Sequence, residues 1–282
     1  MTNFIKDINW EIKRNPIYNQ DGNIINGYQE ITRNENDSEK SSLLSVMKNS
    51  YNPLSIEYFK DIINKISTET EMELAGYNEF KKGKIITAQL KSNKPFEIGG
   101  SKIEGYLTLG TGFDGSQSFF IGHTNEFLRC QNQFGRIVKN FTSRLTKNSG
   151  VKIEEILTQL IHYNKFETEL YESFEKMQEV KIDHRLVKDC VERLIGLSNE
   201  ERLDNTLINM NTYSKLNDLR DCIISECNEL GDNAFALFNG VTKYSTHRMK
   251  SQQVDVFGNL FTNKGKINQQ GYELITNELL LV

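Results

Sequence analysis

The segment YLTLGTGFDGSQSFFIGHTNEFLRCQNQFGRIVKNFTSRLTKNSGVK, Tyr106–Lys152, decides how the chain is read. Its second half carries Arg129, Arg136, Lys139, Arg144, Lys147 and Lys152 and no Asp or Glu, in a chain whose formal charge is −4. Projected at about 100° per residue, Cys130, Phe134, Ile137, Val138, Phe141 and Leu145 gather on one side. Arg129, Arg136, Lys139 and Lys147 gather on the other, with Arg144 at the border. The spacing predicts an amphipathic helix with an apolar face for a core and a cationic face for an anion. The plain alternative is a solvated outer face of the kind ordinary surface helices carry.

Immediately upstream, Tyr106 to Gly110 alternates like a strand, Asp114-Gly115-Ser116 is a turn signal, and Ser118 to Gly122 reads as the returning strand. Gly110 and Gly115 have the spacing of a phosphate-binding loop, but the lysine that would reach a terminal phosphate is missing, so a hairpin turn is expected. Two further strands, Met72 to Phe80 and Lys84 to Lys91, precede them, with Lys81, Lys82 and Lys84 giving their hairpin a cationic tip. The expected fold is α+β: an antiparallel meander packed on helices, with a β-β-β-α core and a helical C-terminal half.

The N-terminal part adds strand-like pieces at Ile12 to Tyr18, Tyr28 to Arg33 and Ser41 to Tyr51. A helix then starts at Pro53-Leu54-Ser55, with Ser55 as N-cap and Tyr58, Phe59, Ile62, Ile63 and Ile66 as its stripe. Past Gly150 come helical stretches at Ile153 to Tyr163, Phe166 to Met177, Arg185 to Leu194 and Leu216 to Leu230. Over 153–230 there are 17 Asp and Glu against 9 Lys and Arg, a net of −8. A short apolar helix, Ala234 to Asn239, follows, and the last 30 residues read as polar and Gln/Asn-rich up to an apolar Leu279 to Val282. The division expected is 1–150 for the sheet and its helices, and 151–282 for a helical region that returns to the core at about 231–250.

Charged residues at 26% and apolar residues at 37% are values of a folded chain. No apolar run reaches the roughly 20 residues a bilayer span needs, and the start lacks the apolar stretch of a signal peptide, so a cytoplasmic protein is expected. Cys130, Cys190, Cys222 and Cys227 fall at apolar helical positions and read as buried, reduced thiols. Cys222, Cys227 and one of His162, His184 or His247 fit no common zinc spacing. Neither a metal nor a cofactor is expected, and no nucleophile motif points to an enzyme.

Several motifs together carry a resemblance. Trp10 with Pro16, Tyr28-Gln-Glu-Ile-Thr-Arg33, Tyr51-Asn-Pro-Leu-Ser55 with Phe59, Asp114-Gly115-Ser116, Arg129-Cys130-Gln131-Asn132, and Asn233 to Asn239 with Thr242, Tyr244 and His247 follow one another as in the phage and plasmid-like proteins with domain of unknown function 932. The likeness spans roughly 10–250, with Phe235 where members usually have Trp. That family has no settled activity. The element order also resembles the core of single-strand annealing proteins, which implies a non-catalytic protein that binds and anneals single-stranded DNA as a homo-oligomeric ring or filament. Tyr106, Phe113, Phe119 and Phe120 are the rings on which bases would stack, unless they pack in a core. The competing expectation is an interaction protein, encoded by a phage, that binds or inhibits a host factor through its acidic helical half. A hydrolase using Asp114 with distant carboxylates is the third and weakest reading.

Overall fold

A computed structural model describes residues 8–36, 40–127, 132–160, 163–250 and 260–280. The fold is α+β, with antiparallel sheets in the N-terminal half and helices in the C-terminal half. Strands β1 (Trp10–Tyr18), β2 (Ile24–Glu35) and β3 (Ser41–Lys48) form a three-stranded sheet in that order. Strands β4 (Glu73–Phe80), β5 (Ile85–Lys91), β7 (Ser101–Gly112), β8 (Phe119–Phe127) and β9 (Asn132–Ser143) form the path of a second, six-stranded sheet, with the short β6 (Phe96–Ile98) beside β7. Helices α1 (Ile56–Thr70) and α2 (Ser149–Gln159) belong with the sheets. The helical part holds α3 (Tyr163–Glu179), α4 (His184–Ile195), α5 (Asn199–Leu203), α6 (Met210–Leu230), α7 (Ala234–Lys243), a π-helical turn (Tyr244–Arg248) and α8 (Asn263–Glu278).

The chain groups into two compact units of interleaved segments. The first comprises Met1–Asn93, Tyr106–His123 and Ile137–Tyr163, the second Lys94–Gly105, Thr124–Arg136 and Asn164–Val282. In the first unit α1 starts where Ser55 Oγ accepts the Tyr58 N–H at 3.1 Å, and its stripe Phe59, Ile62, Ile63 and Ile66 is buried. It stops at Glu71, whose φ of 58° cannot continue a right-handed helix. In the second unit Phe134, Phe174, Phe235, Phe238 and Tyr272 make an aromatic core, with ring centroids 5.1 Å apart for Phe134–Phe238 and 5.4 Å for Phe174–Phe238. Helices α6 and α7 approach until a Cβ on Gly240 would lie 2.5 Å from the Ile223 Cα.

The stretch expected to be a basic amphipathic helix is instead β9. Phe134 is fully buried and Phe141 is 9% exposed, although residues seven apart in a regular strand face opposite ways. In β9 the apolar residues fall at three- and four-residue spacing, which imitates a helical period. Ile137, Val138 and Thr142 favour a strand, and Gly135 would cost a helix interior about 1 kcal/mol. The helix that follows the meander is therefore α2. The polar C-terminal tract also differs from expectation: α8 buries Lys264, Gly265, Ile267, Asn268, Gly271, Tyr272 and Ile275.

Two glycines give a test of opposite signs. A Cβ on Gly110 would lie 2.4 Å from the Phe120 ring and 3.0 Å from the Ile86 carbonyl oxygen, so Gly110→Ala is expected to destabilise by about 1–3 kcal/mol. Gly150 lies within α2 with open space around it, so Gly150→Ala is expected to stabilise by roughly 0.5–1 kcal/mol. Urea unfolding of the two variants checks both signs.

Candidate nucleic-acid interface

The residues expected to form a phosphate track separate into three groups. Arg129, Cys130 and Gln131 lie outside the described residues, and of Arg136 and Lys139 only the backbone, in β9, is described. A strand does not put positions three apart on one face, so the one-sided charged helix face does not form. Arg144, Lys147 and Lys152 are exposed, the first two in the loop between β9 and α2 and the third in the first turn of α2. Lys81 and Lys82 are exposed and Lys84 is half-buried at the β4–β5 turn, where Phe113 N–H donates to the Lys84 carbonyl at 2.7 Å. No described contact joins that tip to the 144–148 loop.

The loop is fixed from below. Leu145 is buried, its carbonyl accepts the Asn52 N–H at 3.0 Å, and Thr146 pairs with Tyr51 as an isolated bridge. Between Asn49 and Ser50 on one side and Thr146, Lys147 and Asn148 on the other opens a cleft of about 410 Å³. It lies at the start of α2, whose N-cap Asn148 makes no side-chain cap and whose first turn holds no acid. The free N–H groups of a helix start favour an anion.

Two cations that the sequence did not single out belong to this surface. Arg14 donates through Nε to Gln29 Oε1 and through a terminal nitrogen to Asn52 Oδ1, both at 2.7 Å. Gln29 is buried and in turn donates to the Tyr51 carbonyl at 2.7 Å and the Lys48 carbonyl at 3.2 Å, so one amide orients both Arg14 and the turn that carries Lys48. Only sheet pairing brings these residues near Asn52 and the loop; no local run of charge marks them.

The other expected residues have structural work. Asp114 Oδ1 accepts the Ser116 N–H at 3.0 Å and the Ser116 hydroxyl at 2.5 Å, closing the β7–β8 turn. Gly115 has φ +72°, and a Cβ there would meet Met47 Cε at 2.5 Å. Tyr51 donates to the Gly112 carbonyl at 2.7 Å, and burial pushes its phenol well above the usual range. Phe113, Phe119 and Phe120 are fully buried and serve the core, while Tyr106 is half-buried with Lys91 Nζ 6.0 Å from its ring centre.

In the second unit, Asn132, Asn239, Thr242 and His247 do meet. Asn132 Nδ2 donates to Asn239 Oδ1 at 3.1 Å, and His247 Nε2 lies 3.1 Å from Asn132 Oδ1, which fits the tautomer protonated at Nε2. Asn239 Nδ2 donates to Glu226 at 2.9 Å, and Lys243 Nζ donates to the same buried carboxylate at 2.8 Å. Thr242 donates to the Asn239 carbonyl at 2.9 Å. Tyr244 joins the apolar core instead, where burial first and Asp218 second raise its phenol. Next to this network, Thr246 Oγ1 accepts the Gln133 N–H at 3.1 Å and Asn268 Nδ2 donates to the Gln133 carbonyl at 3.1 Å. Side chains from the π-turn and α8 thus complete the backbone of the terminal strand, blunting an edge that would otherwise be open to pairing. Replacing Asn132 by Ala leaves buried partners unmatched and is expected to lower stability by about 1–3 kcal/mol. Thermal melts, together with unchanged oligonucleotide binding, check that the network is structural.

No helix among the described residues is long and apolar enough to cross a membrane. No curated protein and no solved structure matches the chain. A family model does match, from within β3 to within α8, spanning the turn at Asp114, the 144–148 loop and the Asn132–Asn239 network. The chain belongs to the family described as Domain of unknown function (DUF932), whose model matches residues 43–268.

Proposed function

We propose that this chain binds and anneals single-stranded DNA without catalysis, as a phage- or plasmid-encoded homo-oligomer working in the host cytoplasm. The observation that carries the reading is the acid-free loop at the start of α2: Lys147 lines the cleft, Arg144 and Lys152 stand exposed in the same loop and the first helical turn, Lys48 directly precedes the cleft wall at Asn49, and Arg14 is held to Asn52. Among the described residues none of these five is ion-paired with a carboxylate. Phosphates attract such a surface irrespective of base sequence, and a shallow, open cleft suits a flexible strand.

A second reading, an interaction protein that binds or inhibits a host factor, is favoured by a separate feature. In the second unit a groove of about 810 Å³ runs along α4 and α6, lined by Val187, Val191, Leu216 and Ile223, with Tyr213 and Ile224 exposed at 48% and 43%. A groove of that kind suits an amphipathic helix of a partner.

The two readings separate on salt. With five cations each neutralising one phosphate, log K is expected to fall with log salt at a slope of about −3.5, from roughly −0.7 per contact on single strands. Arg144→Glu and Lys147→Glu together are expected to abolish binding while leaving the circular dichroism spectrum unchanged, because both side chains are exposed. Binding that ignores salt, or none by the wild type at low salt, overturns the nucleic-acid reading in favour of the groove.

A further inference from the structure

We infer that Tyr28, on the open face of the three-stranded sheet, is where an unpaired base stacks, with Lys48 taking the adjoining phosphate. This rests on the nucleic-acid reading of the neighbouring loop. Phe113, Phe119 and Phe120 are buried and offer no ring to a base, whereas Tyr28 is an exposed ring of the first unit.

Tyr28 meets the requirements. Its side chain is 46% exposed, whereas Gln29 and Ile31, its neighbours on the other face of β2, are 6% and 0% exposed. Pairing sets it opposite Lys48 in β3, and the Asn49 N–H donates to the Gly27 carbonyl at 3.0 Å, which fixes the strand end that presents the ring. An aromatic side chain standing on a hydrogen-bonded ladder loses little freedom when a base covers it. From Lys48 the chain runs directly into Asn49 and Ser50, the wall of the cleft that faces Lys147 and Asn148. Tyr28 and Lys48 thus share one face of the sheet, and the chain passes from Lys48 straight to the cleft wall.

The same face mixes exposed apolar side chains, Tyr28, Leu43 and Val46, with polar pairs. Lys13 is ion-paired with Glu11 at 2.7 Å, and Asn15 donates to Thr32 at 3.2 Å, so polar pairs interrupt the exposed Tyr28 and Val46. Glu30, two residues from Tyr28 and opposite Val46, is an acid on this face that works against a phosphate. The assignment therefore includes a sign: Glu30→Gln tightens binding.

The test uses fluorescence anisotropy of the full chain with two labelled oligomers of equal length, oligo(dT) and a wholly abasic strand, across a series of salt concentrations. Tyr28→Ala is expected to weaken oligo(dT) binding about 5- to 150-fold, the range one stacked base supports, and to leave abasic binding and the salt slope unchanged. Tyr28→Phe is expected to bind as the wild type, and Tyr213→Ala, a comparably exposed tyrosine of the second unit, to change nothing. Wild-type affinity of Tyr28→Ala for oligo(dT), or equal loss on both oligomers, overturns the stacking assignment. If Arg144→Glu with Lys147→Glu still abolishes binding, the phosphate reading stands without it. If the wild type binds neither oligomer, both fall together.

Discussion

Burial of both faces of the central strands is the constraint on which the rest of the structure depends. In β5 the run Ile85 to Ala88, in β7 Leu107 to Gly112 and in β8 Phe119 to Asn125 are all buried, so side chains on either face must be apolar or individually hydrogen-bonded. Close packing then dictates residue size as well as polarity. The Phe120 ring lies against the β7 backbone only because position 110 has no Cβ. Backbone polar groups have to be satisfied within the ladder, or, where it ends at Gln133, by Thr246 and Asn268. Charge has no place in these buried runs, and the basic residues of Tyr106–Lys152 whose side chains are described stand outside them, in the 144–148 loop and the first turn of α2.

That constraint also explains which parts were legible in the sequence. Helix α1 could be read because one face alone is buried, so the Phe59–Ile66 stripe keeps its period and the N-cap Ser55 stands at its boundary. The β4–β5 pair could be read from the hairpin tip at Lys81, Lys82 and Lys84. Strand β9 could not, because Phe134, Ile137, Val138 and Phe141 fall at a helical three- and four-residue spacing. Helix α8 could not be read for the opposite reason: its buried face is built from Gly265, Asn268 and Gly271 beside Ile267, Tyr272 and Ile275, so no apolar stripe marks it. Gly271 is small because Val241 Cγ1 would lie 3.0 Å from a Cβ there, a packing fact that no local pattern carries.

The candidate site divides along the same line. Arg144, Lys147 and Lys152 were visible as an acid-free run, and their exposure follows from the loop and helix start they occupy. Arg14, Lys48 and Gln29 were invisible, since what joins them to the loop is the pairing of β2 with β3 and two amide hydrogen bonds. The motif around Asn239 was visible as a cluster of hydrogen-bonding residues after an apolar hexapeptide, yet its chemistry is inward. Glu226 is 2% exposed and is matched by Lys243 and Asn239, so the network leaves little of its charge for a ligand.

Charge pairing decides where a chain of net −4 can still attract an anion. Many of its cations are already committed: Arg33 to Glu35 and Glu79, Lys65 to Glu154, Arg193 to Glu278, Arg202 to Asp189 and Glu192, Lys243 to Glu226. A phosphate approaching any of these has to displace a carboxylate held at hydrogen-bonding distance, and the local field there is close to neutral. Around the start of α2 the situation is reversed, because the loop lacks acids and the first acid of the helix, Glu154, is itself occupied by Lys65 and Tyr58. That occupation holds the Glu154 carboxyl below its usual range, chiefly through the Lys65 contact, and turns its charge toward α1. The net charge of the chain is therefore a poor guide to its surface: what attracts an anion is the set of cations that folding leaves without a carboxylate, and among the described residues of the first unit these include two groups, at the start of α2 and at the β4–β5 turn with Lys81 and Lys82.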